Sequence, residues 1–275
     1  MGSICMIGQA LCNVFRRLWL ACSLRKTACL LLAALSMAGG VAQACDKPLY
    51  LTLDTGGMQH AQAIAETLAK HQVKATFFLS HEKTFRGDYA LDDSWAGYWR
   101  ARVAEGHTFG SHTWRHGRIL SAAPGVIRYR PQHHEDAARV VTLTGDQFCS
   151  ELRRVEERFV QMTGRRLDPI WRAPGGHTTA ESLGAAKRCG FEHVHWSPAG
   201  FLGDELPSDR YPNQQLLQKA LRELRAGDVL MAHLGIWSRA DPYAPMLDPL
   251  IAGLKSKGFC FLPIASTAAL KKPIP

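Results

Sequence analysis

Short apolar runs alternate with amphipathic stretches along most of the chain. Seven runs predict strands: Leu49–Asp54, Ala75–Ser80, His107–His112, Pro169–Pro174, His193–Pro198, Val229–Leu234 and Phe259–Ile264. Most are rich in β-forming residues and bounded by Gly, Pro or charge. Between several of them the period becomes helical. Gln147–Met162 places Phe148, Leu152, Val155, Phe159 and Met162 on one face and stops at Gly164. Gln215–Arg225 repeats this with Leu217, Leu221 and Leu224, and Met246–Lys257 with Leu247, Leu250, Ile251 and Leu254. Strand and helix in alternation predict a parallel sheet covered by helices, and seven strands suggest an imperfectly closed barrel.

Two stretches fit neither period. Glu82–Arg100 sets Trp95, Tyr98 and Trp99 among polar residues, and Ser121–Gly145 is polar with Pro124, Pro131, His133 and His134. Both read as long loops over one end of the scaffold, where loops carry function. Their aromatics suit a sugar groove or packing beneath a loop.

The first 44 residues read as an address. A basic stretch ending at Lys26 precedes the apolar run ACLLLAALSMAGGVA and then Ala42-Gln43-Ala44, the pattern of a secretory signal peptide. An uncleaved N-terminal anchor is the alternative. The expected organisation is therefore a signal peptide over 1–44 and one domain over 45–275, exported to the periplasm or secreted.

Of 275 residues, 46% are apolar and 21% charged, an ordinary globular balance. The N-terminal 44 hold four basic groups and no acidic one, which leaves 29 basic against 24 acidic groups beyond them. That mild excess suits an anionic cell-wall or membrane surface, or solubility alone. No basic stripe interleaved with aromatics exists, so nucleic acid is not expected as a partner. Cys45, Cys149, Cys189 and Cys260 fall beyond the signal. In an oxidising compartment they predict two disulfides, with three pairings open.

Polar residues collect at the C-terminal ends of five predicted strands: Asp54, His112, Arg172, Trp196 and His233. In a parallel barrel those ends share one face, where catalytic groups gather. His112 and His116, spaced i and i+4, would share one face of a helical turn and reach one cation. Arg172 suits a buried carboxylate.

These residues resemble the polysaccharide deacetylases, the NodB-homology or carbohydrate esterase family 4 domain, over about Leu49 to Ile264. Thr52-Leu53-Asp54-Thr55-Gly56 is similar to the family's T-F-D-D-G. His112-Thr113-Trp114-Arg115-His116 resembles H-[ST]-x-x-H, and Arg172-Ala173-Pro174-Gly175-Gly176 resembles R-x-P-x-G. Met231-Ala232-His233 resembles L-x-H. The resemblance implies a distorted (β/α)7 barrel that hydrolyses N-acetyl groups on an acetylated polysaccharide or cell-wall glycan. It implies Asp54 as general base, Arg172 as its orienting partner and His233 as general acid. His112 and His116 would hold a divalent metal, usually Zn2+, while His107 would be structural. Gly175, Trp196 and Met231 are the expected substrate contacts.

Two departures stand out. Thr55 occupies the place of an aspartate ligand, leaving the gap to water or to His133, His134, Glu135 or Asp136, or implying weak or no metal dependence. The D-x-x-D-W motif expected after Trp196 is missing, with Asp204 a possible partner for His233. A non-catalytic glycan-binding barrel, and a deformylase or deacetylase of a lipid-linked sugar, are the competing readings. Membrane contact is expected only through such a substrate or an uncleaved signal.

Overall fold

Along Pro48–Asp54, leucines 49, 51 and 53 alternate with Tyr50, Thr52 and Asp54, and the two sets point to opposite faces of a strand. The computed structural model describes residues 45–264, so the signal expected over 1–44 lies outside the described residues. In chain order the elements are β1 (Pro48–Asp54), α1 (Ala61–Lys70), β2 (Thr76–Leu79), α2 (Ala96–Ala104) and β3 (Thr108–Ser111). Then come β4 (Arg118–Ala123), β5 (Val126–Arg130), β6 (Val141–Leu143), α3 (Gly145–Thr163), β7 (Ile170–Trp171) and α4 (Ala180–Arg188). The last are β8 (Glu192–His193), α5 (Asn213–Glu223), β9 (Val229–His233), α6 (Leu247–Ser256) and β10 (Cys260–Phe261).

Seven of these strands form one parallel sheet, in the order β10-β1-β2-β3-β7-β8 with β9 also paired to β1. It curls into the expected distorted barrel. Closure between β8 and β9 is thin: Ser197 N–H donates to the Val229 carbonyl at 3.0 Å, and Phe201 bridges to Met231. Of the strand expected over His193–Pro198 only the start is paired, in Glu192–His193, and residues 194–197 run irregularly into the tight turn at Pro198–Gly200. Leu49, Leu51, Leu53, Phe77 and Leu79 belong to the main core with residues of α1, α2, α3, α5 and α6, while Tyr50, Phe78, Ile170, Val194 and Val229 form a separate apolar cluster. None of the helices among the described residues is long and apolar enough to cross a membrane.

Both expected loops are partly structured. Glu82–Arg100 runs into α2, whose buried face includes Trp99 and Arg102. With a guanidinium on the buried side, paired to Glu105, the helix shows no apolar stripe in sequence. Ser121–Gly145 contains most of an antiparallel sheet, β4-β5-β6. On β5, Ile127 and Tyr129 are buried while Arg128 and Arg130 face solvent. The alternation was present, but arginine at every second position gave the stretch a polar average.

Of the three possible cysteine pairings, Cys45–Cys260 and Cys149–Cys189 form. The first joins the segment just before β1 to β10, the second joins α3 to the end of α4.

Candidate active site

The parallel register of β1 and β9 pairs Tyr50 with Val229, Thr52 with Met231 and Asp54 with His233. Asp54 and His233 therefore end adjacent strands on the same face. Arg172, just past β7, is fully buried beneath them. Its Nη1 donates to Asp54 Oδ1 at 2.9 Å and to Thr52 Oγ1 at 2.7 Å, and its Nε donates to the Val194 carbonyl at 3.2 Å. Burial pushes the Asp54 carboxyl up, but the Arg172 charge, with the neighbouring imidazoles of His112 and His233, outweighs it and holds the carboxyl below its usual range. Asp54 is thus an ionised carboxylate with one oxygen fixed. Its other oxygen, Oδ2, lies 3.5 Å from His112 Nε2.

His233 faces a second carboxylate. Asp204 accepts from the His233 backbone N–H at 2.7 Å and from its Nδ1 at 3.1 Å. Burial pushes this imidazole down, yet Asp204 raises it to about 9, with Asp54 adding to the effect. His233 is accordingly a protonated imidazole at neutral pH. Asp204 fills the partner role left by the missing D-x-x-D-W motif.

The two histidines of the 112–116 pair do meet, with ring centroids 4.9 Å apart. A helical turn is not the reason. Thr113 and His116 have positive φ, 66° and 47°, so a tight non-helical turn folds one ring over the other. Glu151 on α3 braces this turn by accepting from the Arg115 backbone N–H at 3.0 Å and from its Nε at 2.9 Å. Tyr129 on β5 joins in: its hydroxyl donates to Glu151 Oε2 at 3.1 Å and accepts from Gly117 N–H at 2.9 Å. A side chain at Gly117 would meet the Tyr129 ring at 1.9 Å, so only glycine fits there. His112 Nδ1 donates to the Arg172 carbonyl at 2.9 Å, and His116 Nδ1 to Gln132 Oε1 at 3.0 Å. Each Nε2 lone pair is left free, the arrangement that supports a metal-binding imidazole. Burial lowers His112 to about 4, so it is neutral.

Glu82 and His133 complete the rim. Ligand atoms of Glu82, His116 and His133 all lie within 4.8 Å of one another. One carboxylate and two imidazoles suit a divalent ion of the zinc type, so the donors present fit the metal that the resemblance implies. Of the four loop residues suggested for the gap left by Thr55, His133 reaches it. His134 instead stacks on His81, with centroids 4.7 Å apart. Glu82 was missed at the sequence level. It begins the stretch expected as a loop, a little past the end of β2 at Leu79.

A cavity of about 390 Å³ opens here, lined among others by Asp54, His112, His116, Gly175, Trp196, Met231 and His233. Every sequence-predicted site residue except Arg172 lines it. Trp237, 60% exposed, and Glu205 also line it and carried no sequence signal. His107 is structural: buried, it accepts from the Ala75 N–H at 3.0 Å.

The family profile described as Polysaccharide deacetylase matches residues 42–194. The chain is 26% identical over 217 residues to the peptidoglycan-N-acetylmuramic acid deacetylase PdaA of Bacillus subtilis (strain 168), covering 78% of this chain and 69% of that protein. Among solved structures, the Bc1960 peptidoglycan N-acetylglucosamine deacetylase superposes with a TM-score of 0.61 at 23% identity, covering 80% of this chain and 88% of that one. BA3943 from Bacillus anthracis, described as a carbohydrate esterase family 4 pseudoenzyme, superposes with a TM-score of 0.60 at 21% identity, covering 82% and 66%.

Proposed function

Because this chain belongs to the polysaccharide deacetylase family, we propose that it is a hydrolase that releases acetate from N-acetylated sugars of a cell-wall glycan. The carrying observation is one cavity with an ionised carboxylate, Asp54, beside a protonated imidazole, His233, and metal-ligating side chains along its rim. Amide hydrolysis needs those two opposite proton-handling groups, because water attacks poorly and amide nitrogen leaves poorly. The names of PdaA and Bc1960 support peptidoglycan as the glycan class.

Asp54 Oδ2 takes the proton of the attacking water. Oδ1 stays bound to Arg172, so the carboxylate cannot rotate away. His233 gives its proton to the departing amine, held by Asp204 with Nδ1 engaged and Nε2 available. Backbone N–H groups near Gly175 receive the oxyanion, donors worth about 3 kcal/mol each. Met231 and Trp196 line the cavity where the acetyl methyl and the sugar face would rest. His116, with Glu82 and His133 beside it, would hold the divalent metal, while His112 Nε2 faces Asp54. When bound, such an ion acidifies water and polarises a carbonyl. Two disulfides and the signal-like N-terminus support export to the periplasm or outside the cell.

Asp54→Asn and His233→Ala should each cut acetate release from N-acetylated peptidoglycan at least 10²-fold while circular dichroism stays unchanged. Near-normal release by either refutes its assigned role. One observation favours a second reading. Thr55 stands where the resemblance expects a ligand, so a glycan-binding barrel without turnover remains the competitor. Glycan binding by the wild type without acetate release would select it.

A further inference from the structure

We propose that the negative charge missing at position 55 has moved to the end of β2, and that Glu82, His116 and His133 bind the divalent ion. The ligand set is read from geometry; the hydrolase reading supplies only what the ion is for.

Glu82 is 5% exposed, and a buried carboxylate needs a compensating partner. Its Oε1 has two: the Gly56 N–H at 2.7 Å and the Thr55 hydroxyl. Its Oε2 has none of that kind. Among the described residues the one basic side chain with a nitrogen within 4.0 Å of Glu82 is His133, whose Nε2 lies 3.9 Å from Oε2, beyond hydrogen-bond reach. A cation between them closes that gap.

Thr55 serves as a positioning residue. Its oxygen accepts from the Ser80 N–H at 3.2 Å, which directs its own proton toward Glu82 Oε1. An aspartate at 55 would instead set two carboxylates in contact. Hydroxyl at 55 and carboxylate at 82 therefore form a matched exchange that keeps one negative charge at the site. The imidazoles come from the turn and from the segment after β5. The N–H groups of Gln132 and His133 both donate to the Arg115 carbonyl, at 3.1 and 3.2 Å, which ties the two segments together. Three protein ligands leave the open position that a catalytic site requires. His112, with Nδ1 engaged and Nε2 facing Asp54, stands on the proton-transfer side.

The test is zinc affinity of the full chain, stripped with chelator and titrated against a chromophoric competitor. Glu82→Gln and His133→Ala should each weaken binding at least tenfold, and His112→Ala less than threefold. Thr55→Asp placed in the Glu82→Gln background should recover most of the loss, a rescue that a merely structural Glu82 would not give. Wild-type affinity in Glu82→Gln or His133→Ala overturns the proposal. So does a loss in His112→Ala with none in His133→Ala, or no zinc binding by the wild type. Should a variant fail to fold, anomalous diffraction from zinc-loaded wild type decides. An ion about 2.0–2.2 Å from Glu82 Oε2 supports the set, and one on His112 and His116 alone overturns it. Acetate release is scored separately. Zinc bound through Glu82 without release retires the hydrolase reading and leaves the ligand set standing.

Discussion

His233 sits at the end of β9 with Asp204 on Nδ1 and Asp54 as its neighbour in register, and those carboxylates set its chemistry. As the proposed general acid it must carry its proton to work, and its elevation to about 9 keeps the imidazolium present across neutral pH. Activity should therefore fall as pH rises through about 9. The proposed base does not limit the neutral range, because Asp54 is held below the usual carboxylate values and is already ionised. Asp204→Asn removes the main elevating cause. With burial then unopposed by that charge, the alkaline limb of kcat/KM should move down by roughly 2 pH units toward the ordinary histidine value. Activity at pH 8 should drop more than tenfold while that at pH 6 changes less. A pH profile of the variant matching the wild type would dismiss Asp204 as the tuning partner. The same shift has a stability consequence: its contribution is complete below about pH 6.5 and fades as pH rises through about 9.

At the scale of elements, the small antiparallel sheet matters more than its polar sequence suggests. β5 brings Tyr129 under the His112–His116 turn, and the residues after it bring Gln132 and His133 to the rim. α3 supplies Glu151 from the opposite side. The turn holds two residues at positive φ, a conformation that persists only when surroundings enforce it. Tyr129→Phe removes the hydroxyl shared by Gly117, Glu151 and Thr113. Leaving those buried groups short of a partner should cost about 1–3 kcal/mol. A thermal melt should show a decrease of several degrees. kcat/KM should fall several-fold as the turn loosens, and unchanged values for both would show that the brace is dispensable.

For the whole molecule, a curled sheet of short strands is closed by few hydrogen bonds between β8 and β9, and covalent links supplement it. Cys149–Cys189 closes a loop with a sequence separation of 40. Chain entropy alone makes such a link worth about 4 kcal/mol. Replacing both cysteines with serine should lower Tm by about 8–16 °C in a domain of this size. Neither cysteine lines the cavity, so acetate release at 25 °C should stay within about twofold of wild type. A comparable loss of activity at that temperature would mean that the link shapes the site as well as the fold.

Local alternation carries the frame of this protein. Leucines 49, 51 and 53 against Tyr50, Thr52 and Asp54 define a two-faced strand, and Gly164 ends the long helix α3. Because parallel strands finish on one side, Asp54, His112, Arg172 and His233 could be placed at a common end from spacing and motif alone. What periodicity cannot report is where a loop returns. Asp204 reaches His233 across 29 residues, Glu82 meets His116 and His133 from a different strand end, and one cysteine pairing of three forms. Those meetings are non-local, set by strand register and by the packing of the small sheet on α3, and only tertiary structure decides them.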